Sequence, residues 1–192
     1  MSSPEINDYQ QFEPTPSTGR HGDQDLVMDM LSAEKDSTYT FQGIKRKLGL
    51  HQEKLTRILK RLEDDNLVLK TDEGYKATHY SRRTRHVSLT GDEPVIQGQL
   101  PPGTDFEDLL SKVKGRWFKN FRWLGYSNGE NGPSLYWITE DNRFEVKIEM
   151  TPGEIVVWSE PTSSKETGSP VAAGYELFDR ITRILPELSE NS

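Results

Sequence analysis

The chain of 192 residues contains no cysteine, so disulfide bonds, a thiol nucleophile and a cysteine zinc site are excluded. It also lacks any apolar run approaching the ~20 residues that span a membrane. Its N-terminus has no basic segment followed by an apolar stretch. From these absences we expect a cytoplasmic protein with no membrane contact.

Signatures of catalysis are missing as well. The four histidines, His21, His51, His79 and His86, lack metal-ligand spacing, and no HExxH helix, GxSxG elbow or GxxxxGK loop occurs. We therefore expect a binding protein that is not an enzyme and that needs neither a metal nor a cofactor. The sequence does not exclude a small-molecule pocket, because such a pocket needs only a suitable shape and a few polar groups.

Basic residues are outnumbered by acidic residues, 24 to 31, which gives a formal net charge of −7. The excess of positive charge that does occur is concentrated in one segment. Residues 42–85 carry 12 basic and 6 acidic groups, whereas residues 1–41 carry 2 and 8, and residues 86–192 carry 10 and 17. Charges more than about 10 Å away are largely screened at ordinary salt. A phosphate backbone would therefore respond to the local excess.

The basic segment follows a predicted acidic disordered tail over residues 1–22 and a first helix from about Asp23. Thr40 is predicted to cap a second helix, which ends at Gly49. A third helix begins near His51. Its apolar stripe has helical spacing and consists of Leu55, Ile58, Leu59 and Leu62.

A hairpin over residues 67–70 and 75–78 completes this unit. Three segments carry a resemblance to a known family: LGL at the turn, LTRILKRLEDDNLV across the third helix and first strand, and GYKAT at the end of the hairpin. Together they resemble the winged helix-turn-helix domain of MarR- and ArsR-type regulators of archaea and bacteria, over residues 24–78. The resemblance implies that the helix starting near His51 reads the major groove of DNA.

The resemblance also assigns roles to side chains. The candidates for the major groove are His51, Gln52, Glu53, Lys54, Thr56 and Arg57. Among them, Gln52 suits adenine and Arg57 suits guanine. Phosphate contacts are assigned to Lys45, Arg46, Lys47, Lys60 and Arg61.

Outside the helices, Lys70 and Lys76 at the base of the hairpin can reach the DNA backbone. Asp72 and Glu73 at its tip would repel phosphates, so we do not expect the tip to enter the minor groove. A basic linker over residues 79–93 either lies along the DNA or stays solvated. Its cations are Arg82, Arg83 and Arg85.

Residues 94–186 change in composition and predict a strand, a helix, four strands and a helix, before a tail over residues 187–192. Phe144 to Met150 alternate apolar and polar, which places Arg143, Glu145, Lys147 and Glu149 on a solvated strand face. The last helix carries an apolar stripe of Tyr175, Phe178, Ile181 and Leu185. This stripe either packs on the sheet or pairs with a second subunit, and packing on the sheet is the simpler account. The fold class is therefore α+β, with an N-terminal winged helix-turn-helix followed by a small antiparallel-sheet domain with two helices.

Aromatic and basic residues are interleaved over residues 112–123. The cations are Lys112, Lys114, Arg116, Lys119 and Arg122, and the aromatics are Trp117, Phe118, Phe121 and Trp123. Exposed aromatics beside cations can bind single strands. We favour core packing instead, because Trp117 continues the stripe of the helix that begins near Phe106.

The expected function is that of a double-stranded DNA-binding protein and transcriptional regulator. It is expected to be a homodimer, because one reading helix covers only a few base pairs. The alternative is a winged-helix adaptor that binds another protein in a transcription or other nucleoprotein assembly. A further alternative is a ligand-responsive repressor, in which the aromatic-rich second domain holds a small apolar molecule. An apolar cavity near Trp123, Trp137 or Trp158 would favour this alternative. The second domain is also a candidate site for a protein partner.

Overall fold

A computed structural model describes residues 22–33, 36–78, 93–101, 103–129, 132–163 and 168–184. The first part of these residues forms α1 (Asp23–Leu31), β1 (Thr38–Tyr39), α2 (Phe41–Leu48), α3 (Gln52–Asp64), β2 (Val68–Thr71) and β3 (Gly74–Ala77). The second part forms β4 (Ile96–Gln99), α4 (Phe106–Val113), β5 (Phe121–Gly129), β6 (Gly132–Thr139), β7 (Phe144–Thr151), β8 (Glu154–Pro161) and α5 (Pro170–Thr182).

All strands of the described residues belong to one eight-stranded sheet, in the order β2-β3-β1-β5-β6-β7-β8-β4. Every neighbouring pair is antiparallel. The two-residue strand β1 makes the connection, because Tyr39 lies opposite Tyr75 of β3 and opposite Gly125 of β5. The β2–β3 hairpin is therefore one edge of the same sheet that β5 to β8 form.

The predicted fold class is wrong for this reason. A winged helix-turn-helix followed by a separate small sheet would leave the hairpin and the later strands unpaired with each other. Instead, β1 joins them into one large antiparallel sheet, to which five helices of the described residues are attached. Two residues are too few to show the alternation that identifies a strand in a sequence.

The sheet carries a hydrophobic core on each side. On one side, which we call the α5 face, α4 and α5 pack on Trp123, Leu135, Trp137 and neighbouring residues of β7 and β8. On the other side, the α2 face, α1, α2 and α3 pack on a smaller set of residues from the central strands. These are Leu124, Tyr136 and Ile138.

The α2 face also corrects the predicted solvated side of β7. Glu145 is only 3% exposed, and its carboxylate lies 2.8 Å from the Lys47 ammonium group of α2. Lys147 and Glu149 are half-buried and form an ion pair at 2.7 Å. The alternation along β7 was predicted correctly, but its polar side is partly covered rather than fully solvated.

Local signals for α2 and α3 are confirmed. The Thr40 hydroxyl accepts a hydrogen bond from the Gly43 amide at 2.9 Å, and Gly49 ends α2 with a φ of 63°. Leu55, Leu59 and Leu62 of α3 are buried in the core of the α2 face. Capping and apolar periodicity are short-range properties, which is why the sequence predicts them well.

The helix predicted from Phe106 to Trp117 is shorter than expected. Its cap is Asp105, which accepts a hydrogen bond from the Asp108 amide at 3.0 Å, and the helix ends at Val113. Gly115 follows with a φ of 77°, and Trp117 is 54% exposed. Core packing is therefore wrong for Trp117, but it is confirmed for Phe118, Phe121 and Trp123.

The last helix packs on the sheet as predicted, although through a shifted face. Its buried residues are Ala173, Gly174, Leu177 and Ile181, whereas Tyr175 is 56% exposed. Three predictions lie outside the described residues: the two tails apart from Gly22, the basic linker apart from Glu93, and the packing of Leu185. In the part of the chain that the structure describes, no helix combines the length and apolar character needed to cross a membrane.

Candidate nucleic-acid interface

The face of α3 opposite its buried stripe is open. The stripe of leucines holds the helix on the α2 face, which directs the polar residues of the helix outward. The exposed residues of the helix and its cap are His51, Gln52, Glu53, Lys54, Thr56, Arg57, Lys60, Arg61, Asp64 and the cap residue Asp65. Four of these are cations, so α3 presents a polar surface on which most base- and phosphate-contact candidates lie together.

Contacts within the protein already hold some of these groups. Lys54 forms an ion pair with Asp23 of α1, and the Thr56 hydroxyl donates to the Gln52 carbonyl oxygen at 2.9 Å. Arg57 Nε donates weakly to the Glu53 carbonyl oxygen at 3.4 Å. The Lys54 side chain is still 53% exposed, and Thr56 and Arg57 are exposed as well, so DNA contact requires little rearrangement.

The side chains of three other polar residues on this face, His51, Gln52 and Lys60, make no hydrogen bond or ion pair with another described residue. Arg61 lies 4.0 Å from Asp65, and both side chains are mostly exposed. Exposed ion pairs of this kind contribute little to stability. These side chains can therefore bind a ligand with little loss of protein stability.

The cations of α2 have different surroundings. Lys47 pairs with buried Glu145, and Arg46 lies over the Trp117 ring with its guanidinium carbon 5.1 Å from the ring centroid. Lys45 is half-buried, and its ammonium group makes no hydrogen bond or ion pair with another described residue. The phosphate role of Arg46 and Lys47 stays a prediction, and their contacts favour a role in joining α2 to the rest of the protein.

The β2–β3 hairpin turns its acidic tip toward the protein. Glu73 accepts hydrogen bonds from Lys114 and from the Tyr126 hydroxyl. These hydrogen bonds lower the pKa of Glu73, with Lys114 as the larger cause. At the base of the hairpin, Lys70 is exposed and Lys76 is half-buried.

A buried electrostatic cluster lies beneath α2. Glu145 of β7 is opposite Glu160 of β8, and Lys47 pairs with the former. Burial, with repulsion from Glu145 as a smaller cause, raises the pKa of Glu160 to about 7, while Lys47 acts in the opposite direction. Sequence reasoning missed this cluster because it depends on which strands are neighbours.

Sequence reasoning also missed a stack of cations on Trp117. The guanidinium carbons of Arg46 and Arg122 lie 5.1 and 4.7 Å from the centroid of its ring. Arg122 also pairs with Glu140. Gly115 was the available signal, since a glycine two residues before Trp117 interrupts the predicted helix.

The linker arginines Arg82, Arg83 and Arg85 lie outside the described residues, so the structure does not relate them to α3. Among the residues described, no group of three or more His, Asp or Glu side chains is arranged to hold a metal ion. Comparison with known proteins finds no matching family model, no matching curated protein and no matching solved structure.

Proposed function

We propose that the protein binds double-stranded DNA and that the N-terminal half of α3 enters the major groove. The observation that carries the proposal is the open face of α3, where Gln52, Arg57 and Lys60 are exposed on a well-anchored helix. An α-helix fits the major groove, and paired amide or guanidinium groups read base edges there.

Electrostatics support this orientation. The exposed side of α3 combines four cations with acidic groups near its two ends, and the surrounding segment 42–85 is net positive in an otherwise acidic chain. Phosphate contacts dominate affinity for DNA and make it depend on salt. A protein with this charge distribution would approach DNA with the α3 side first.

The proposal includes a role in transcriptional regulation, in the cytoplasm and without catalysis. It carries over from MarR- and ArsR-type regulators only the use of the third helix as the reading element. A homodimer is part of the proposal, because two-fold symmetry doubles the short site that one helix covers. The hairpin tip is left out of the interface, since Glu73 is engaged by Lys114 and Tyr126.

The test compares two double variants that remove the same charge. Arg57→Ala with Lys60→Ala changes α3, whereas Lys119→Ala with Arg183→Ala removes two cations that are each 67% exposed and far from α3 in the chain. Preferred duplexes would first be selected from a randomised pool, and affinity would then be measured by fluorescence anisotropy over a range of salt. A lost bidentate contact is worth about 1 to 3 kcal/mol, so the α3 variant should bind about 5- to 150-fold more weakly.

The salt dependence gives a second readout. Each lost phosphate contact should reduce the salt slope by about 1 in the α3 variant and leave it unchanged in the control. Equal affinity of the two variants for the selected duplex would overturn the proposed orientation. Absence of any preferred duplex, together with a flat salt dependence, would favour the protein-binding adaptor instead.

A further inference from the structure

A cavity of about 450 Å³ lies where α2, the hairpin tip and the start of β5 meet α4. It is separate from the exposed face of α3. Its lining includes Arg46, Glu73, Lys114, Trp117, Trp123 and Tyr126. Pockets of about 300 to 1,000 Å³ with aromatic walls and a few polar groups are typical small-molecule sites.

The cavity walls are aromatic. Trp117 is half exposed at one side, and Trp123 is nearly buried and packs edge-on against Trp137 with centroids 5.0 Å apart. Tyr126 is fixed by its hydrogen bond to Glu73 and by Lys114, whose ammonium lies 3.6 Å from the ring centroid. These contacts hold the walls in place, so a flat apolar group can enter a largely preformed space.

The charge in the cavity is not balanced. Lys114 is neutralised by Glu73 at 2.5 Å, whereas Arg46 has no ion pair with any described residue. The Nη1 atom of Arg46 is buried and has no hydrogen-bond partner in the described part of the chain. Glu140 attracts it, but that carboxylate pairs with Arg122, which repels Arg46.

The pKa of Arg46 reflects this environment. Burial is the main cause of its lowering, and repulsion from Arg122 adds to it. A cation that is partly removed from water without a counter-ion destabilises the protein. A negative charge in the cavity would offset that cost.

We propose that this cavity binds a small aromatic anion, with its negative charge beside Arg46 and its ring against Trp117 and Tyr126. The site is independent of DNA binding by α3. A carboxylate is the fitting anionic group, because one planar charged group matches the single uncompensated guanidinium.

A second cavity, of about 560 Å³ beside the start of α5, does not fit such a ligand. Its lining contains three carboxylates, Glu140, Asp141 and Glu176, and one arginine, Arg143. An anion would be repelled there. Of these two cavities, the one beside Arg46 therefore fits the anion better.

Binding would be measured with three matched probes by isothermal titration of the full chain. The first is 2-naphthoate, an aromatic anion; the second is 2-naphthamide, which has the same ring without charge; the third is cyclohexanecarboxylate, which has the charge without the aromatic ring. We expect 2-naphthoate to bind at least about tenfold more tightly than 2-naphthamide, since hydrogen bonds to charged groups contribute about 1.5 to 3 kcal/mol. Cyclohexanecarboxylate should also bind more weakly than 2-naphthoate, because it has no aromatic ring to pack on Trp117 and Tyr126. Equal affinity for the acid and the amide would overturn the proposed role of Arg46.

Variants then locate the site. Arg46→Met keeps the length of the side chain and should weaken 2-naphthoate about 10- to 100-fold without changing 2-naphthamide. Trp117→Leu should weaken both naphthyl probes, and Arg61→Met, which removes an exposed cation outside the cavity, should change neither. Unchanged binding of 2-naphthoate to both cavity variants would overturn the assignment.

A measurement on the unaltered chain covers the case in which a variant fails to fold. With 5-fluorotryptophan incorporated, 2-naphthoate should shift the fluorine resonances of Trp117 and Trp123 and leave that of Trp158 in place. A shift at Trp158 alone, or no shift at saturating probe, would contradict the proposal. Displacement of the probe by a thymidine oligonucleotide at a lower concentration than by thymidine monophosphate would assign the cavity to a nucleic-acid strand instead.

Discussion

The two faces of the central sheet are covered in different ways. On the α5 face, α4 and α5 pack on an apolar surface in which Trp123, Trp137 and Val146 are buried together. On the α2 face, the apolar contact of β5 and β6 with the core around α1 to α3 is made by Leu124, Tyr136 and Ile138, and charged residues continue along β7 and β8.

This difference shows how the first part of the chain, with α1 to α3, is attached to the central sheet. Its helices are joined to the sheet by backbone contacts and one buried ion pair as well as by apolar packing. The Leu124 carbonyl oxygen accepts from the Thr40 amide at 2.9 Å and from the Thr40 hydroxyl at 3.2 Å. Such polar joints depend on geometry more than an apolar interface does, so small changes should affect them strongly.

The largest effect is expected where α2 meets β5. A Cβ atom at Gly43 would lie 2.2 Å from the Leu124 carbonyl oxygen, so Gly43→Ala forces α2 away from the sheet. Helix propensity favours alanine by about 1 kcal/mol, but overpacking against backbone should outweigh it. We expect the free energy of unfolding to fall by about 3 kcal/mol in urea denaturation.

Gly98→Ala on β4 is the matched control, because the nearest atom to its added Cβ would be 3.6 Å away, an ordinary contact. It should change the free energy of unfolding by less than about 1 kcal/mol. If Gly43→Ala is as mild as this control, α2 is not held tightly on β5. The contrast between the two faces would then lose its main support.

A smaller effect is expected at the ion pair. Lys47→Met leaves Glu145, whose side chain is 4% exposed, without its cation. Losing one partner of a fully buried pair costs about 3 to 5 kcal/mol, and the Lys47 side chain is 20% exposed, so we expect about 2 kcal/mol. Chemical denaturation of Lys47→Met, Glu145→Leu and the double variant would measure the coupling.

The double variant serves as the internal control for this prediction. Replacing both partners with apolar residues removes the stranded charge and should recover most of the lost stability. Additive effects of the two single changes would show that the pair does not connect α2 to β7. The polar contacts that connect α2 to the sheet would then be those between Thr40 and Leu124.

The smallest effect concerns Glu160 and depends on pH. Its pKa is raised to about 7, so between about pH 4.3 and 7 the folded protein keeps a proton that the unfolded chain releases. Stability contributed by this group therefore falls as pH rises through that window and stays low above it. After allowance for solvent screening, the loss is about 1 kcal/mol.

Glu160→Gln removes this titration, so it should raise the free energy of unfolding at pH 8 and leave it nearly unchanged at pH 5. Glu154→Gln, at the other end of the same strand, is the control for general charge removal. Urea denaturation of the three proteins at both pH values would test the sign. Equal stabilisation by both variants at pH 8 would mean that Glu160 is not specifically destabilised by burial beside Glu145.

Local parts of the fold were predictable because their signals lie close together in the sequence. Thr40, Gly49 and the leucine stripe of α3 identify two helices, and the alternation from Phe144 to Met150 identifies β7. The prediction that Trp117 packs in the core is wrong, because the helix of the apolar stripe ends before Gly115. In the candidate interface, the exposed side of α3 followed from the same periodicity, but the inward contacts of Arg46 and Lys47 did not.

The sequence by itself determined the helices, most of the strands and the concentration of positive charge in residues 42–85, since propensity, capping and periodicity act over a few residues. Only the tertiary structure decided that these elements share one sheet. The pairing of Tyr39 with Gly125 joins segments far apart in the chain and leaves no local pattern. The same long-range pairing buries Glu145 and encloses the cavity beside Arg46, because burial depends on which segments meet.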